Sequence, residues 1–342
     1  MFPMKSFMKH LQKNKLGYLY AAAFVMLLSA VILGIFLGAS MLSPRALFNA
    51  ILKGELESPE FRIFIYVRVP RVAASLVCGA ALAVSGAVIQ GVLANRLASP
   101  SIIGVNSGAA LAVTLSAAFG VTAGWQFSLF SFIGAFLSAL AVSLAAKKWG
   151  ASRGTVILAG VALSSLLGAI SDAVTAFFPD ISIINRDFKI GDFSFVTYSR
   201  LLPASVAIVA AIILLMTLST ALDVLTLGDE NAKGLGLNLP VARVIFLLLA
   251  ALLSGAAVSI CGLLSFVGLL VPHTVRRFSV YESRHLLPLT ALFGAGFVSL
   301  SDTLSRIIFA PFELPVGIIM ALIGAPFFIF ILVKGRRDQG HA

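Results

Sequence analysis

The segment TLGDENAKGLGLNLP, residues 226–240, is polar, acidic near its start and interrupted by glycines. It separates two apolar blocks, LLPASVAIVAAIILLMTLSTAL at 201–222 and VIFLLLAALLSGAAVSICGLLSFVGLLV at 244–271. A helix needs roughly 20 apolar residues to cross a bilayer, and both blocks are at least that long. We therefore expect the 226–240 segment to connect two membrane-spanning helices on one side of the bilayer.

The composition of the whole chain agrees with a membrane environment. Of its 342 residues, 59% are hydrophobic and 11% are charged, and the mean hydropathy is +1.04. A soluble domain carries about 25% charged residues, so this chain cannot cover a water-facing surface and is an integral membrane protein in a lipid bilayer. We treat residues 1–342 as one domain. A signal peptide is not expected, because the first apolar run, 16–42, is too long for one.

Counting apolar runs predicts an all-α, polytopic protein with about ten transmembrane helices. The charge-free runs are 16–42, 72–94, 97–146, 201–222, 244–275 and 314–333. Two further runs contain charges: 154–178 includes Asp172, and 285–309 includes Asp302 and Arg306. Run 97–146 is long enough for two crossings with a turn near GVTAGWQ, and 244–275 for one span and the start of a shorter one.

The distribution of lysine and arginine predicts the orientation. Ten spans place both termini on one side, and an inner N-terminus puts most of the 25 Lys and Arg residues in inner loops, as positive charges prefer. Residues 1–15 and 226–240 are then cytoplasmic. This bias also explains the net charge of +11 without a nucleic-acid partner.

Small residues recur within the spans, as in CGAALAVSGAVIQG at 78–91 and LLSGAAVSICG at 252–262. In lipid, close approach at such residues favours helix packing. The two blocks open the second and seventh spans, which predicts two five-helix halves of inverted topology. Cys78 and Cys261 lie in these blocks, and we expect packed thiols rather than a disulfide or a metal site.

The sequence provides no catalytic motif that we can assign. No Gly-Lys dipeptide occurs, so a P-loop is absent, and His-Glu and Gly-x-Ser-x-Gly are absent as well. We therefore expect no catalytic residues and no cofactor on this chain. For the 226–240 segment two interpretations remain at this point, a short amphipathic helix that docks a soluble partner and an ordinary polar loop.

A family resemblance distinguishes between these interpretations. GDENAKGLG at 228–236 resembles the coupling segment of permease subunits of bacterial ABC importers for iron-siderophore complexes, haem and cobalamin. Further motifs follow in that family's order: RVPRVAASLVCGAALAVSGAVIQGVLAN at 68–95, LASPSIIGVNSGAALAV at 97–113, LAGVAL at 158–163, SFVGLLVPHTVRRF at 265–278 and ELPVGIIMALIGAPFFIFIL at 313–332. The resemblance implies a second permease subunit, two cytoplasmic ATPase subunits that hold ATP and Mg, an extracytoplasmic binding protein and a bacterial cell membrane.

The same resemblance implies roles for individual residues. ATPase coupling is assigned to Gly228, Asp229, Glu230, Ala232, Lys233 and Gly236. Docking of the binding protein is assigned to Arg68, Arg71 and Arg306, and narrowing of the path at its cytoplasmic end to Asn95, Leu97 and Ser152. Two positions depart from the family pattern, with Arg96 where proline is usual and Phe188 where tryptophan is common.

Chemistry supports some of these roles. Arg68 and Arg71 face the same side of a helix and oppose the positive-inside bias, and arginine grips carboxylates in a bidentate fork. Asp302 and Arg306, four residues apart, are spaced for a helical ion pair. Asp172 either lines the path and contacts cargo or reaches water beside Arg186 or Lys189.

A transporter of another class remains as an alternative. A secondary transporter driven by an ion gradient would have paired acids near the middle of the membrane and broken helices around them. Asp172 and Asp302 both lie toward the end of their spans instead, and the 226–240 segment would have no role.

Overall fold

The computed structural model describes residues 3–39, 42–148 and 152–339. Those ranges contain α-helices, a few short turns of other helix types and no β-strand. The helices of the first half are α1 Pro3–Phe36, α2 Pro44–Lys53, α3 Pro59–Ile63, α4 Val69–Leu93, α5 Val105–Ala118, α6 Gly124–Lys148 and α7 Arg153–Phe177. Those of the second half are α8 Ser182–Ile190, α9 Tyr198–Thr217, α10 Ser219–Thr226, α11 Asp229–Gly234, α12 Leu239–Cys261, α13 Val267–Arg277, α14 Ser283–Ile307 and α15 Val316–Gln339. The all-α prediction is confirmed.

Seven helices of the described ranges are long and apolar enough to cross a membrane. They span Lys15–Phe36, Pro59–Leu93, Gly124–Ala145, Arg153–Phe177, Tyr198–Thr217, Leu239–Cys261 and Ser283–Ile307. Val105–Ala118 and Val316–Phe330 are apolar but shorter. The predicted breaks are confirmed, since α5 ends at Ala118 before α6 begins at Gly124, and α12 ends at Cys261 before the short α13. The total of ten remains a prediction.

Helix α4 forms the centre of the bundle and packs against α9, α12, α13 and α14. Its small residues allow its backbone to approach neighbouring helices closely. A Cβ atom at Gly79 would lie 2.3 Å from the Gly294 carbonyl oxygen, and one at Gly86 would lie 1.9 Å from the Gly268 oxygen. Both distances are too short for any side chain, so the predicted packing at small residues is confirmed.

Two ends of the bundle carry the polar sites. Arg71 at the start of α4 pairs with Asp302 near the end of α14, and we call this the arginine end. At the opposite end the Ser283 N–H donates to the Asp223 carboxylate at 2.9 Å, close to the 226–240 segment, and we call this the 226–240 end. Both α4 and α12 are followed by a break and a short helix. The inverted relation of the two halves remains a prediction.

Candidate functional site

The 226–240 segment contains the short helix that its sequence suggested. Helix α10 ends at Thr226, α11 occupies Asp229–Gly234 and α12 begins at Leu239. Gly228 (φ 101°) and Gly236 (φ 82°) lie at either side of α11, in backbone conformations that only glycine adopts readily. The two glycines therefore allow the chain to turn into and out of a helix of six residues.

Asp229 ties this short helix to two spans. Its Oδ1 atom accepts a hydrogen bond from Arg243 Nη2 at 2.6 Å and lies 3.2 Å from Arg153 Nη2. Arg243 is in the first turn of α12, and Arg153 is the first residue of α7. The hydrogen bond from Arg243 is the main cause that holds the pKa of Asp229 below its ordinary value, despite partial burial, and the nearby charges of Arg243 and Arg153 add to it. Asp229 therefore ties α11 to both α7 and α12.

The outer surface of the segment is available to a partner. Glu230, Lys233 and Gly236 are exposed, as the coupling role requires. Leu227 and Leu235, which the resemblance did not single out, are 57% and 65% exposed. The sequence could have identified these two residues, because each is a leucine within a polar segment. An apolar side chain in such a segment needs either a core or a partner to cover it.

Ala232 lies on the inward face of α11. Its side chain is fully buried within the main hydrophobic core, because α11 packs against α10 and α12. Ala232 therefore holds the segment against the bundle, and its coupling role remains a prediction.

The arginine end is a buried cluster of charges. Arg71 Nε donates to both carboxylate oxygens of Asp302 at 3.1 and 3.2 Å, and Arg71 Nη1 lies 2.6 Å from Glu313. Asp192 lies 3.7 Å from Arg71. Arg306 Nε reaches the second Asp302 oxygen at 3.2 Å, so the ion pair predicted from the spacing of Asp302 and Arg306 is confirmed.

Arg68 and Arg306 also complete the end of α1. Arg68 Nη1 donates to the Leu37 carbonyl at 2.9 Å, and Arg306 donates to the carbonyls of Leu37 and Gly34, both at 3.0 Å. The last carbonyls of a helix lack partners within the helix and carry partial negative charge. Two arginines from other helices satisfy them here, which joins α1 to α4 and α14.

The three arginines expected to dock the binding protein are buried in this chain, and their docking role remains a prediction. Arg68, Arg71 and Arg306 are 4%, 5% and 1% exposed. The spacing of Arg68 and Arg71 does place them together, but α1 and α14 pack over the start of α4 and cover them. Asp302, Glu313 and the α1 carbonyls occupy the donors that a partner's carboxylates would need.

The residues expected at the path constriction shape the local backbone. Ala94 has a left-handed conformation (φ 44°), and the Asn95 side chain then accepts the Leu97 N–H at 2.9 Å. This turn needs no proline, which explains how Arg96 is accommodated. Ser152 caps α7 by accepting the Thr155 N–H at 3.1 Å. Leu97 is half exposed. The gating role of these three residues remains a prediction.

Asp172 takes the second of its two expected positions. Its carboxylate lies 3.3 Å from Lys189 Nζ, and its side chain is 74% exposed. Lys189 belongs to α8, which packs beside α5. The pairing with Lys189 is therefore confirmed, and cargo contact by Asp172 remains a prediction.

Cys78 and Cys261 are buried free thiols, and both Sγ atoms point to the Ala257 carbonyl. The expectation of packed thiols is thus confirmed.

The chain is similar in sequence to proteins of a known transport family. The model of the FecCD transport family matches residues 26–334. This chain belongs to the FecCD transport family. The hemin transport system permease protein HmuU of Yersinia pestis is 37% identical over 311 residues, which cover 89% of this chain and 91% of that protein. The iron(3+)-hydroxamate import system permease protein FhuB of Bacillus subtilis (strain 168) is 35% identical over 320 residues, 92% of this chain and 83% of that protein.

A solved structure shares the architecture of this FecCD protein. It is an inward-facing conformation of a metal-chelate type ABC transporter, with a TM-score of 0.79 and 29% sequence identity over 93% of this chain and 99% of that one. The FecCD protein is accordingly a multi-pass permease subunit of an ABC transport system in the cell membrane. It is a transport subunit and not an enzyme, and ATP hydrolysis belongs to a separate ATPase subunit.

Proposed function

We propose that this FecCD protein is the permease subunit of an ATP-driven importer for iron-siderophore complexes, with haem and cobalamin as neighbouring cargoes. It forms the translocation path together with a second permease subunit, identical or homologous. Two cytoplasmic ATPase subunits, which hold ATP and Mg, drive it, and an extracytoplasmic binding protein delivers the cargo. Relatives named for hemin and for iron(3+)-hydroxamate support the haem and iron-chelate part of this range.

The anchoring of α11 is the observation that carries the proposal. Its outer face exposes Glu230, Lys233 and Leu235, while its inner face is fixed to the bundle by Ala232 and Asp229. A helix held in this way passes a displacement on to α7 and α12 instead of absorbing it. Closure of an ATPase pair on the outer face would therefore tilt two spans and open or close the path.

The remaining roles follow from the same arrangement. We place the 226–240 end and both termini, including residues 1–15, in the cytoplasm, in agreement with the positive-inside bias. The path narrows near Asn95, Leu97 and Ser152, and Asp172 lies toward its opposite end. The binding protein docks on the arginine end, where Arg68, Arg71 and Arg306 form the buried support beneath the docking surface.

An iron chelate as cargo is compatible with the side chains that the structure describes. The described residues contain no group of three or more His, Cys, Asp or Glu side chains arranged to hold a metal ion. An iron chelate brings its own ligands, so a path for it needs space and polarity rather than metal ligands. The ion-driven alternative gains no support, because the buried Asp302 is already neutralised by Arg71 and Arg306.

Co-purification with the cognate ATPase tests the proposal. The test variant carries Glu230→Arg and Leu235→Asp, which reverse one charge and place another on the exposed face of α11 without touching Ala232. The matched control carries Glu57→Arg and Leu56→Asp, the same exchanges at an exposed turn of the arginine end, and it is scored only for retention of the ATPase because the binding protein docks at that end. Both proteins are purified with the ATPase, reconstituted in liposomes and assayed for ATP hydrolysis with and without the binding protein.

We expect the wild type and the control to retain the ATPase and the test variant to lose it. Charge reversal at the centre of such an interface weakens binding by several kcal/mol, on the order of a hundredfold in affinity. If the test variant retains a fully stimulated ATPase, α11 is not the coupling element. If the wild type binds no ATPase at all, the importer assignment fails.

A further inference from the structure

A groove lies where three helix ends meet near the membrane surface. Its volume is about 220 Å³, and it is lined by the first turns of α6 and α9 and the last turn of α12. Trp125 and Ser128 come from α6, Ser199 and Arg200 from α9, and Ser259 from α12. Polar groups therefore gather at one end of the groove, at the depth where a bilayer changes from hydrocarbon to headgroups.

Arg200 is held in place by neutral groups. Its Nε donates to Ser128 Oγ at 2.5 Å, Nη2 donates to the Ser259 carbonyl at 3.4 Å, and Nη1 donates more weakly to the Phe195 carbonyl at 3.5 Å. The guanidinium also lies over the Phe127 ring, 5.9 Å from its centroid. These contacts orient the planar group, but none of them carries a negative charge.

The positive charge of Arg200 has no acidic counterpart among the described residues. The ion pairs found in those ranges do not include it. The N-terminal ends of α6 and α9 add partial positive charge at the same place, and the C-terminal end of α12, which accepts the Arg200 Nη2 hydrogen bond, offsets part of it. A cation of this kind at a membrane surface attracts an anion, and the fork of an arginine matches two oxygens of a phosphate group.

The other end of the groove is apolar. Leu129 and Phe132 of α6 and Pro203, Ala204 and Ala207 of α9 line it. Neighbouring side chains on this face, such as Leu202 and Val206, are 60% and 71% exposed, so nothing within this chain covers the face among the described residues. The small alanines leave a channel along α9 that a hydrocarbon chain can occupy.

We propose that this groove binds one phospholipid with a net negative headgroup, of the phosphatidylglycerol type, with its phosphate on Arg200 and an acyl chain along Ala204 and Ala207. Charge complementarity decides between this occupant and a second copy of the chain. A two-fold contact between two copies at this face would bring a second Arg200 to the same surface, and like charges would oppose it.

Native mass spectrometry of the full-length protein tests the assignment. The chain is purified in a mild detergent, stripped of lipid and titrated separately with phosphatidylglycerol, phosphatidylethanolamine and inorganic phosphate. Arg200→Gln removes the cation, and Ala207→Phe fills the acyl channel while Arg200 stays in place. Arg186→Gln is the matched control, because Arg186 is an exposed arginine whose nearest ionic neighbour is Asp187 at 3.9 Å.

We expect one phosphatidylglycerol to bind the wild type and the control more tightly than phosphatidylethanolamine does. Arg200→Gln should lower the affinity for phosphatidylglycerol by about tenfold, as expected for the loss of a hydrogen-bonded charge. Ala207→Phe should lower the affinity for both lipids, because it fills the acyl channel that they share. If Arg200→Gln does not fold, Ala207→Phe alone decides.

Three outcomes would overturn the proposal. The first is equal binding of the two lipids with no loss in either variant, which indicates annular lipid only. The second is saturation by inorganic phosphate with the same dependence on Arg200, which indicates a phosphate site. The third is a dimer whose interface is lost in Ala207→Phe. None of them bears on the ATPase, so failure here leaves the importer proposal intact.

Discussion

At the arginine end, the side chains of Arg71, Asp302 and Arg306 are 6%, 1% and 1% exposed and bind one another. At the 226–240 end, Glu230 and Lys233 lie on the surface, and Asp229 keeps 44% of its side chain exposed while it binds Arg243. Both ends are rich in charge, and the family resemblance assigns partner contact to both. Of the residues assigned to those contacts, the three arginines are buried, whereas Glu230 and Lys233 are exposed.

The difference shows what burial does to a charged motif. A charge removed from water must be paired, and the pair then holds helices together rather than recognising another protein. The arginine end joins α1, α4 and α14 through such pairs. The 226–240 end combines one partly buried anchor with a free surface, which is what a mechanical joint needs.

The strongest test of this contrast removes the shared acid of the arginine end. Asp302→Asn should lower the free energy of unfolding by about 3–5 kcal/mol, because Arg71 and Arg306 would remain buried without their carboxylate. Asp172→Asn, which breaks the exposed pair with Lys189, should change it by less than about 1 kcal/mol. Thermal unfolding in detergent measures both, and equal effects would show that the cluster is solvated rather than buried.

A second test disturbs the packing of α4 against α14, the two helices that hold Arg71, Asp302 and Arg306. Gly79→Ala places a Cβ against the Gly294 backbone and should lower the free energy of unfolding by about 1–3 kcal/mol. Gly168→Ala on α7 meets nothing within 4 Å and serves as the control, with stability unchanged or slightly raised. The same unfolding assay applies. A neutral Gly79→Ala would mean that α4 and α14 can move apart without loss.

A third test uncouples the joint without unfolding the protein. Asp229→Asn removes the ionic tie to Arg243 and Arg153, and the free energy of unfolding should fall by less than about 1 kcal/mol since the carboxylate is partly exposed. Transport should fall by about fivefold or more, the scale of a coupling free energy. Uptake in liposomes with the ATPase and binding protein present measures it. Unchanged uptake would remove Asp229 from the transmission path.

The smallest expected effect concerns pH. The hydrogen bond from Arg243 lowers the pKa of Asp229 in the folded chain below the ordinary aspartate value of 3.8. Its contribution to stability is therefore fully present above that value and is lost as the pH falls through the folded pKa. The stability difference between wild type and Asp229→Asn should be constant from pH 5 to 8 and shrink in more acidic buffer. A difference that disappears near pH 6 would contradict the direction of the shift.

Sequence reasoning was reliable where the signal is local. The break between α5 and α6 and the short α13 were predicted from run length, because a helix in lipid needs a fixed number of apolar residues. The ion pair of Asp302 and Arg306 was predicted from spacing on one helix. The helix at Asp229–Gly234 was suggested by acidic residues followed by glycines.

The features that the sequence did not predict all depend on contacts between segments far apart in the chain. Asp229 meets Arg153 across 76 residues, and Arg71 meets Asp302 across 231, so neither pairing has a signature in a local window. Ala232 was assigned to the coupling segment through the family resemblance, which does not show that one face of α11 covers the core. In the sequence Arg200 is only one of several arginines counted in the loops. The structure places it where the ends of three helices meet.

The sequence alone determined that this chain is all-helical and spans a membrane, because hydrophobicity and run length act residue by residue. Through its motifs it also determined the family. Only the tertiary structure decided which charges face water, which are buried between α1, α4 and α14, and which helices the 226–240 segment contacts. The physical reason is that the free energy of a charge depends on what surrounds it, and its surroundings exist only after the helices have packed.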